Sequence, residues 1–346
     1  MIQDAIFETD VASRAKRGNP RNSEAATIDL SDGSVLLAWS QFLSGSSDWA
    51  AAQIAALISR DGGRTWGEGY VLQENEGKMC TYGPTLLRLD SGNLGLTYFV
   101  KNSRADNRVY FRRSADDGRT WSERTAVTPE PAYNIIINDR AVQLSSGRII
   151  APIAYVPEHV DHSTSFRVFC AYSDDQGNTW SRSPGELGLP KRGAMEPAVI
   201  ERRDGSLFML VRTQLGHQYS SVSTDAGESW EELRPAVDLI SSEAPACVKR
   251  IPSTGDLLVI WNRVFDPLLE HVGPRTPLSS AISRDDGRSW TSIRNIEQDP
   301  QGAFAYTSIH FRGQEVLLTY YRSMKGNDDL DLKLVILPVT WFYGGQ

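Results

Sequence analysis

SRDGGRTW at 59–66 is the first of five copies of one octet, S-x-D-x-G-x-[TS]-W, in this 346-residue chain. The other four are SADDGRTW at 114–121, SDDQGNTW at 173–180, STDAGESW at 223–230 and SRDDGRSW at 283–290. Five copies of four fixed positions, 50 to 60 residues apart, indicate one structural unit repeated along the chain.

The octet has the composition of a hairpin turn. In the first copy, Asp61 can accept hydrogen bonds from turn backbone, Gly63 supplies a position with positive φ, and Trp66 can pack against the unit. The repeated aspartates are therefore predicted to be structural rather than catalytic.

The segments around the octets predict short strands joined by tight turns. The fourth unit reads EPAVIERRDG, SLFMLVRT, QYSSVSTDAGESW and EELRPAV, and the last segment, YTSIHFRG, EVLLTYYR and LKLVILPV, has the strands without the octet. We therefore predict an all-β fold, a six-bladed β-propeller of six four-stranded units in a single domain over residues 1–346. The runs IQDAIFE and LKLVILPVTWF, near opposite ends, are expected to share one sheet and close the ring.

Composition excludes several classes of function. A net charge of −7 gives no electrostatic support for nucleic-acid binding, and no apolar run approaches the roughly 18 residues of a membrane span. The start, MIQDAIFETD, lacks the pattern of a secretory leader, so a cytoplasmic location is expected.

The cysteines at 80, 170 and 247 are widely spaced and are predicted to be buried free thiols. We expect no metal site and no cofactor, because the five histidines lack ligand spacing.

Charged or phenolic residues recur near the start of the innermost strand of each unit. Because these strands converge on the propeller axis, buried charge there must be paired or used, and the set predicts a site for an anion or a sugar. A ring of salt bridges that only fills the channel is the alternative. The residues are Arg21, Glu24, Asn138, Asp139, Arg140, Glu196, Glu243 and Tyr306.

At these residues the chain resembles the sialidase (neuraminidase) superfamily of Asp-box propellers over nearly its whole length. The resemblance places Arg21 on the first inner strand, Asp48 of GSSDWAAA in the following loop, and Glu196 of MEPAVIE at the start of the fourth unit. Arg275 of RTPLSSAIS precedes the fifth octet by eight residues, and the Tyr306-Thr307 pair begins the sixth inner strand. The resemblance implies that Glu196 accepts the proton of a nucleophilic Tyr306 while Asp48 acts as acid and then base, with retention of configuration.

One position departs from the family pattern. Sialidases bind the substrate carboxylate with three arginines, and the second is expected five residues before the fourth octet, where this chain has Gln218 beside His217. Glutamine cannot form a charged bidentate fork, so we expect either that Arg212 or Arg140 takes over or that the ligand is not an ordinary sialic acid.

Three functional classes follow from the sequence. The first is a sialidase-like exo-glycosidase acting on a small molecule or oligosaccharide that carries a terminal acidic sugar. The second is another hydrolase or lyase acting on a different uronate or keto sugar, and the third is a non-catalytic sugar-binding propeller. The combination of Asp48, Glu196 and Tyr306 favours an enzyme over binding alone.

Overall fold

The computed structural model describes residues 2, 4–161, 164–268 and 273–344. Within these ranges, one short helix, α1 (Arg14–Arg17), and a 3₁₀ helix at Val339–Tyr343 accompany 26 strands. In the first half of the chain the strands are β1 (Phe7–Ala12), β2 (Arg21–Asp29), β3 (Val35–Phe42), β4 (Ala52–Ser59), β5 (Tyr70–Gln73), β6 (Cys80–Arg88), β7 (Leu94–Ser103), β8 (Asp106–Ser114), β9 (Thr125–Ala126), β10 (Tyr133–Ile135), β11 (Val142–Gln143), β12 (Ile149–Val156) and β13 (Arg167–Ser173). In the second half they are β14 (Ser181–Arg182), β15 (Leu187–Gly188), β16 (Met195–Glu201), β17 (Leu207–Arg212), β18 (His217–Ser223), β19 (Arg234–Ile240), β20 (Cys247–Arg250), β21 (Leu257–Asn262), β22 (Leu278–Ser283), β23 (Thr291–Glu297), β24 (Gly302–Arg312), β25 (Glu315–Met324) and β26 (Asp331–Pro338).

Four sheets have four antiparallel strands each. Three of them follow the chain, in the orders β2-β3-β4-β5, β16-β17-β18-β19 and β20-β21-β22-β23. The fourth has the order β1-β26-β25-β24, with Phe7 opposite Ile336. The expected pairing of segments from the two ends of the chain is thus observed.

The prediction of six separate four-stranded blades is wrong. The second and third units form one ten-stranded sheet, β6 to β15, so the propeller has four separate four-stranded blades and one joined sheet. The joint is a parallel pairing of β10 with β8, where Tyr133 is opposite Asn107. Strand β9 has only two residues, which pair with Tyr110 and Phe111 of β8. The first residues of β8 therefore lack a partner in β9, and the Asn107 amide donates to Ala132 O instead. An open strand edge readily pairs with the next available segment.

The five octets lie where the sequence predicts. Each begins at the last residue of the third strand of its unit, as Ser283 does at the end of β22. In the fifth copy, Asp285 accepts hydrogen bonds from Ser283 Oγ (2.8 Å), from Ser289 N (2.9 Å) and from Ser289 Oγ (2.6 Å). The Gly287 amide donates to Ser283 Oγ at 2.7 Å. The turn is therefore a hydrogen-bonded unit organised around one carboxylate.

The interior consists of apolar clusters between neighbouring sheets. One cluster packs Leu258 and Ile260 of β21 against Leu318 of β25 and Trp341 of the 3₁₀ helix. All three cysteines are free and buried. Within the described ranges, no helix has the length and apolar character needed to cross a membrane.

Asp285→Asn should lower the free energy of unfolding by about 1 kcal/mol at pH 7, a value reduced for solvent screening at this partly exposed site. Desolvation raises the pKa of Asp285, but the hydrogen bonds from Ser289 and Ser283 outweigh it and lower the pKa to about 2. The unfolded value is about 3.9, so the charged group stabilises the fold fully above about pH 4 and loses this effect as the pH falls towards 2.

Urea unfolding at several pH values measures this difference. The gap between the parent and Asp285→Asn should narrow between pH 7 and pH 3, whereas Glu68→Gln, at an exposed position, should show no gap at either pH. A gap that stays constant over this range would contradict the assigned role of the carboxylate.

Candidate active site

A left-handed backbone position recurs at the start of the inner strands. Glu24 (φ 43°), Gly83 (φ 76°), Asp139 (φ 57°), Glu196 (φ 45°) and Tyr306 (φ 58°) all occupy it. In β2, β6, β16 and β24 the strand register shifts at this point, as in a β-bulge. A bulge turns a side chain out of the alternation of its strand, and such strain clusters at functional sites. This shared conformation directs side chains of several sheets toward the axis.

Two of these side chains, Glu196 and Tyr306, line one polar cavity of about 400 Å³. Its walls include Asp48, Glu196, Arg212, Arg275 and Tyr306, together with Trp49, Tyr133 and Met195. A narrower extension is lined by Arg21 and Glu24 as well as by Asp48, Glu196 and Tyr306. The sequence-predicted acid, base, nucleophile and arginines therefore meet in one place, although they come from distant parts of the chain.

Tyr306 and Glu196 are in direct contact. The phenol donates a hydrogen bond of 2.8 Å to Glu196 Oε1, and Arg212 Nη1 donates one of 2.8 Å to Glu196 Oε2. Arg212 Nη1 also lies 3.4 Å from the phenol oxygen. One carboxylate is thus positioned to take the proton of the tyrosine while a guanidinium holds its other oxygen.

The environment keeps the phenol protonated in the free protein. Burial raises the pKa of Tyr306, and the negative charge of Glu196 raises it further, whereas Arg212 and Arg275 lower it. A nucleophilic role for Tyr306 would therefore require a base, and Glu196 lies within hydrogen-bond reach of the phenol.

Asp48 lies at the opening of the cavity with its side chain 62% exposed. Arg21 Nη1 contacts Asp48 Oδ1 at 2.6 Å, and Arg21 Nη2 contacts Glu24 Oε1 at 2.7 Å. Desolvation raises the pKa of Asp48, but the charges of Arg21 and Lys101 outweigh it and lower the pKa to about 2. The carboxyl is crowded by protein yet open to solvent on one side, and in the free protein it is ionised.

Arg275 completes the cationic wall. Its guanidinium lies 5.4 Å from the centre of the Tyr306 ring, and its Nη1 donates to the hydroxyl of Tyr321. Among the described residues, the buried Nε atoms of Arg212 and Arg275 have no hydrogen-bond partner. Both guanidinium groups line the cavity and place positive charge on its wall.

Gln218 does not occupy the second arginine site, so this part of the sequence interpretation is corrected. Its side chain is fully buried and donates to Ser241 Oγ and to Ala244 O, each at 2.8 Å. Arg212, one of the two substitutes considered from the sequence, lines the cavity instead. Arg212 ends β17, whereas Gln218 lies in β18, so counting back from the octet selected the wrong strand.

The remaining predicted residues lie around the cavity rather than on its wall. Glu243 Oε1 contacts Arg212 Nη2 at 3.2 Å and Arg192 Nη1 at 2.6 Å, which balances charge behind Arg212. Asp139 contacts Lys249 at 2.8 Å and accepts from the Ile309 amide at 3.1 Å. Arg140 is buried and donates to Asn138 O. Asp139 and Arg140 thus link inner strands and are not part of the described cavity wall.

Sequence reasoning missed several residues of the site. Arg192 lines the cavity four positions before Glu196, and Trp49 lines it directly after Asp48. Arg192 lies in a loop without periodic pattern and gave no signal. Trp49 is not in the octet pattern, and its position beside Asp48 was the available clue.

Comparison with known proteins identifies the family. Residues 73–316, well over half of the chain, match the BNR repeat-like domain family. The chain belongs to the sialidase superfamily of BNR-repeat proteins. A sialidase of Micromonospora viridifaciens is 26% identical over 331 residues, which cover 87% of this chain and 50% of that protein. A sialidase of Paraclostridium sordellii is 28% identical over 242 residues, which cover 62% of this chain and 58% of that protein.

Solved sialidase structures show the same fold. The NanB sialidase of Streptococcus pneumoniae superposes with a TM-score of 0.76 at 15% identity, covering 96% of this chain and 71% of that chain. The chain spans about half the length of the curated sialidases it matches. The likeness therefore extends to the propeller, and the sialidase relatives are longer than this chain.

Arg212→Lys and Gln218→Leu should separate the two candidates for the second arginine site. Lysine keeps the charge but loses the planar fork, so Arg212→Lys should weaken binding of a sialic acid by about tenfold or more, measured by titration calorimetry. Gln218→Leu should instead lower the free energy of unfolding by about 1–3 kcal/mol, since Ser241 and Ala244 lose their donor. Its affinity for the sugar should stay within about twofold, and the reverse pattern would return Gln218 to the binding site.

Proposed function

We propose that this protein is an exo-acting glycosidase that releases a terminal acidic sugar of the sialic-acid type with retention of configuration. The observation that carries the proposal is the 2.8 Å hydrogen bond from Tyr306 to Glu196, beside the guanidinium groups of Arg212 and Arg275. The membership in a family whose named relatives are sialidases supports it.

The site chemistry suits an anionic substrate. A carboxylate nucleophile would repel a negatively charged sugar, whereas a neutral phenol activated by a neighbouring base avoids that repulsion. Arg212, Arg275 and Arg21 together offer the positive charge that a sugar carboxylate requires.

The first step forms a bond between the Tyr306 oxygen and the anomeric carbon. The phenolic proton passes to Glu196, the bond to the leaving oxygen breaks, and Asp48 donates a proton to that oxygen. In the second step Asp48 takes a proton from water, whose oxygen attacks the anomeric carbon. The bond between that carbon and the Tyr306 oxygen breaks, and Glu196 returns the proton to Tyr306. Two displacements at one carbon retain its configuration.

Binding of the substrate would also prepare Asp48 to act as an acid. In the free protein Arg21 holds Asp48 ionised at 2.6 Å. A sugar carboxylate that competes for Arg21 removes part of this stabilisation and adds a like charge, and both effects raise the pKa of Asp48.

The alternative of a different uronate or keto sugar loses its main support. It rests on Gln218, His217 and the Asp139-Arg140 pair, and none of these residues is on the described wall of the cavity. A purely sugar-binding role does not require the contact between Glu196 and Tyr306.

Tyr306→Phe should lower kcat on an aryl α-sialoside by about 10³-fold or more, because the nucleophilic oxygen is absent while the ring remains. Tyr321→Phe is the matched control, since its ring lies 5.9 Å from that of Tyr306 and its hydroxyl contacts Arg275. That control should change mainly KM, by about tenfold or less.

The stereochemistry of the parent protein tests the mechanism directly. Proton NMR of the first product should show the α-anomer before it equilibrates. An initial β-anomer, or an unchanged kcat in Tyr306→Phe, would contradict the proposed nucleophile. Absence of turnover across a panel of anionic glycosides, with tight binding retained, would favour the binding-only alternative.

A further inference from the structure

Lys101 is a fully buried lysine that the proposed mechanism does not use. It lies in β7, in the apolar run LGLTYFVKNS, and its side chain points to the same side of the strand as that of Phe99. Its Nζ donates to the backbone oxygen of Asp48 at 2.9 Å and to the hydroxyl of Tyr82 at 3.1 Å. Both acceptors are neutral, so the ammonium is held by dipoles rather than by a paired carboxylate at these two contacts.

Aromatic rings surround the same ammonium. The Nζ lies 4.4 Å from the centre of the Trp49 ring, 5.1 Å from that of Tyr82, 5.4 Å from that of Tyr133 and 5.7 Å from that of Phe99. Rings at these distances attract a cation through their electron-rich faces. Two of them, Trp49 and Tyr133, line the cavity, so Lys101 supports that part of the wall from behind.

The segment that carries Asp48 has few other anchors. At its base Leu43 N donates to Ala51 O at 2.8 Å, and near its tip Ala50 N donates to Ser47 O at 3.0 Å. Cys80 Sγ approaches Asp48 O at 3.6 Å, which is a weak contact. Arg21 reaches the segment through Ser46 O and the Asp48 carboxylate.

The two cationic anchors, Arg21 and Lys101, differ in whether a bound substrate can compete for them. On the proposed function, a sugar carboxylate competes with Asp48 for Arg21. Lys101 is inaccessible to the substrate because it is fully buried and binds the backbone of Asp48 rather than its carboxylate. It therefore remains as the charged anchor of the Asp48 backbone when Arg21 is occupied, while the guanidinium of Arg104, 4.3 Å from the centre of the Trp49 ring, contacts the neighbouring side chain.

We propose that Lys101 is a positioning residue for general-acid catalysis, which fixes the Asp48–Trp49 segment so that the carboxyl of Asp48 reaches the leaving oxygen. This inference rests on the proposed function. Without the ammonium, Asp48 O loses its strong donor, and the Trp49 ring keeps only Arg104 of its two neighbouring cations. The segment should then sample positions from which Asp48 cannot protonate the substrate.

Lys101→Met is the test substitution, because methionine has similar length, is apolar and adapts to a buried site. Asp48→Asn provides the benchmark for loss of the acid. Lys333→Met is the matched control for removal of a buried lysine. Lys333 lies in β26, is 9% exposed and contacts Glu297 at 2.6 Å. It is not among the residues of the cavity wall named above.

Two leaving groups separate positioning from general damage. An alkyl or lactosyl sialoside needs protonation of its leaving oxygen, whereas a 4-nitrophenyl sialoside needs little, because nitrophenolate is a stable leaving group. General-acid catalysis contributes about 10²–10⁴-fold, so Lys101→Met should lower kcat on the alkyl sialoside by about 10²-fold and on the nitrophenyl sialoside by less than about fivefold. Asp48→Asn should show the same selectivity more strongly, and Lys333→Met should affect both substrates equally.

Hydrogen–deuterium exchange gives a readout that does not depend on activity. In Lys101→Met, amides in peptides covering residues 43–51 should exchange faster than in the parent, while Lys333→Met should leave them unchanged. Equal loss on the two sialosides, or unchanged exchange over 43–51, overturns the inference. If the parent hydrolyses neither sialoside, the proposed function fails, and the exchange experiment alone decides whether Lys101 holds this segment.

Discussion

The site depends on one guanidinium shared between two buried carboxylates. Arg212 contacts Glu196 at 2.8 Å and Glu243 at 3.2 Å, and all three side chains are buried. Removing this cation would leave Glu196 without its ion-pair partner in the protein interior, which costs several kcal/mol, whereas Glu243 would keep its contact with Arg192. Because Glu196 in turn holds the phenol of Tyr306, the orientation of the tyrosine depends on the same charge balance. The cationic wall and the base are therefore parts of one hydrogen-bonded network.

The octet turn and the bulge of the inner strand have different structural roles in the repeated unit. The octet carboxylates take all their partners from their own turn, which makes each turn stable without help from the rest of the chain. The left-handed backbone conformations of Glu24, Glu196 and Tyr306 cost about 1–3 kcal/mol each. Packing and hydrogen bonds in the surrounding sheets must offset this cost. Left-handed residues also occur in the octets, at Asp117, Gln176, Ala226 and Asp286, so the turns and the inner strands both carry backbone strain.

The sequence predicted the octet turns, the propeller class and the convergence of Asp48, Glu196 and Tyr306 because each has a local pattern. It failed where tertiary contacts decide. The joining of two units into one sheet depends on the short β9, whose length no turn motif specifies. The choice of Arg212 over Gln218 depends on which strand of a blade faces the axis. Lys101 had a readable signal, a single charge inside an apolar strand, but its partners come from another part of the chain.

The pairing of β1 with β26 has a consequence for how the molecule is made. Tyr306 lies on β24, at the opposite edge of the same sheet from β1, so this sheet combines segments from distant parts of the sequence. A growing chain that has left the ribosome only as far as β24 still lacks β25 and β26, and β1 has no partner in its sheet. Contacts so distant in sequence form slowly, because the closing loop is long. The sheet that carries Tyr306 is therefore complete only after β26 has been made, and until then the edge of β1 is open to pairing with other strands.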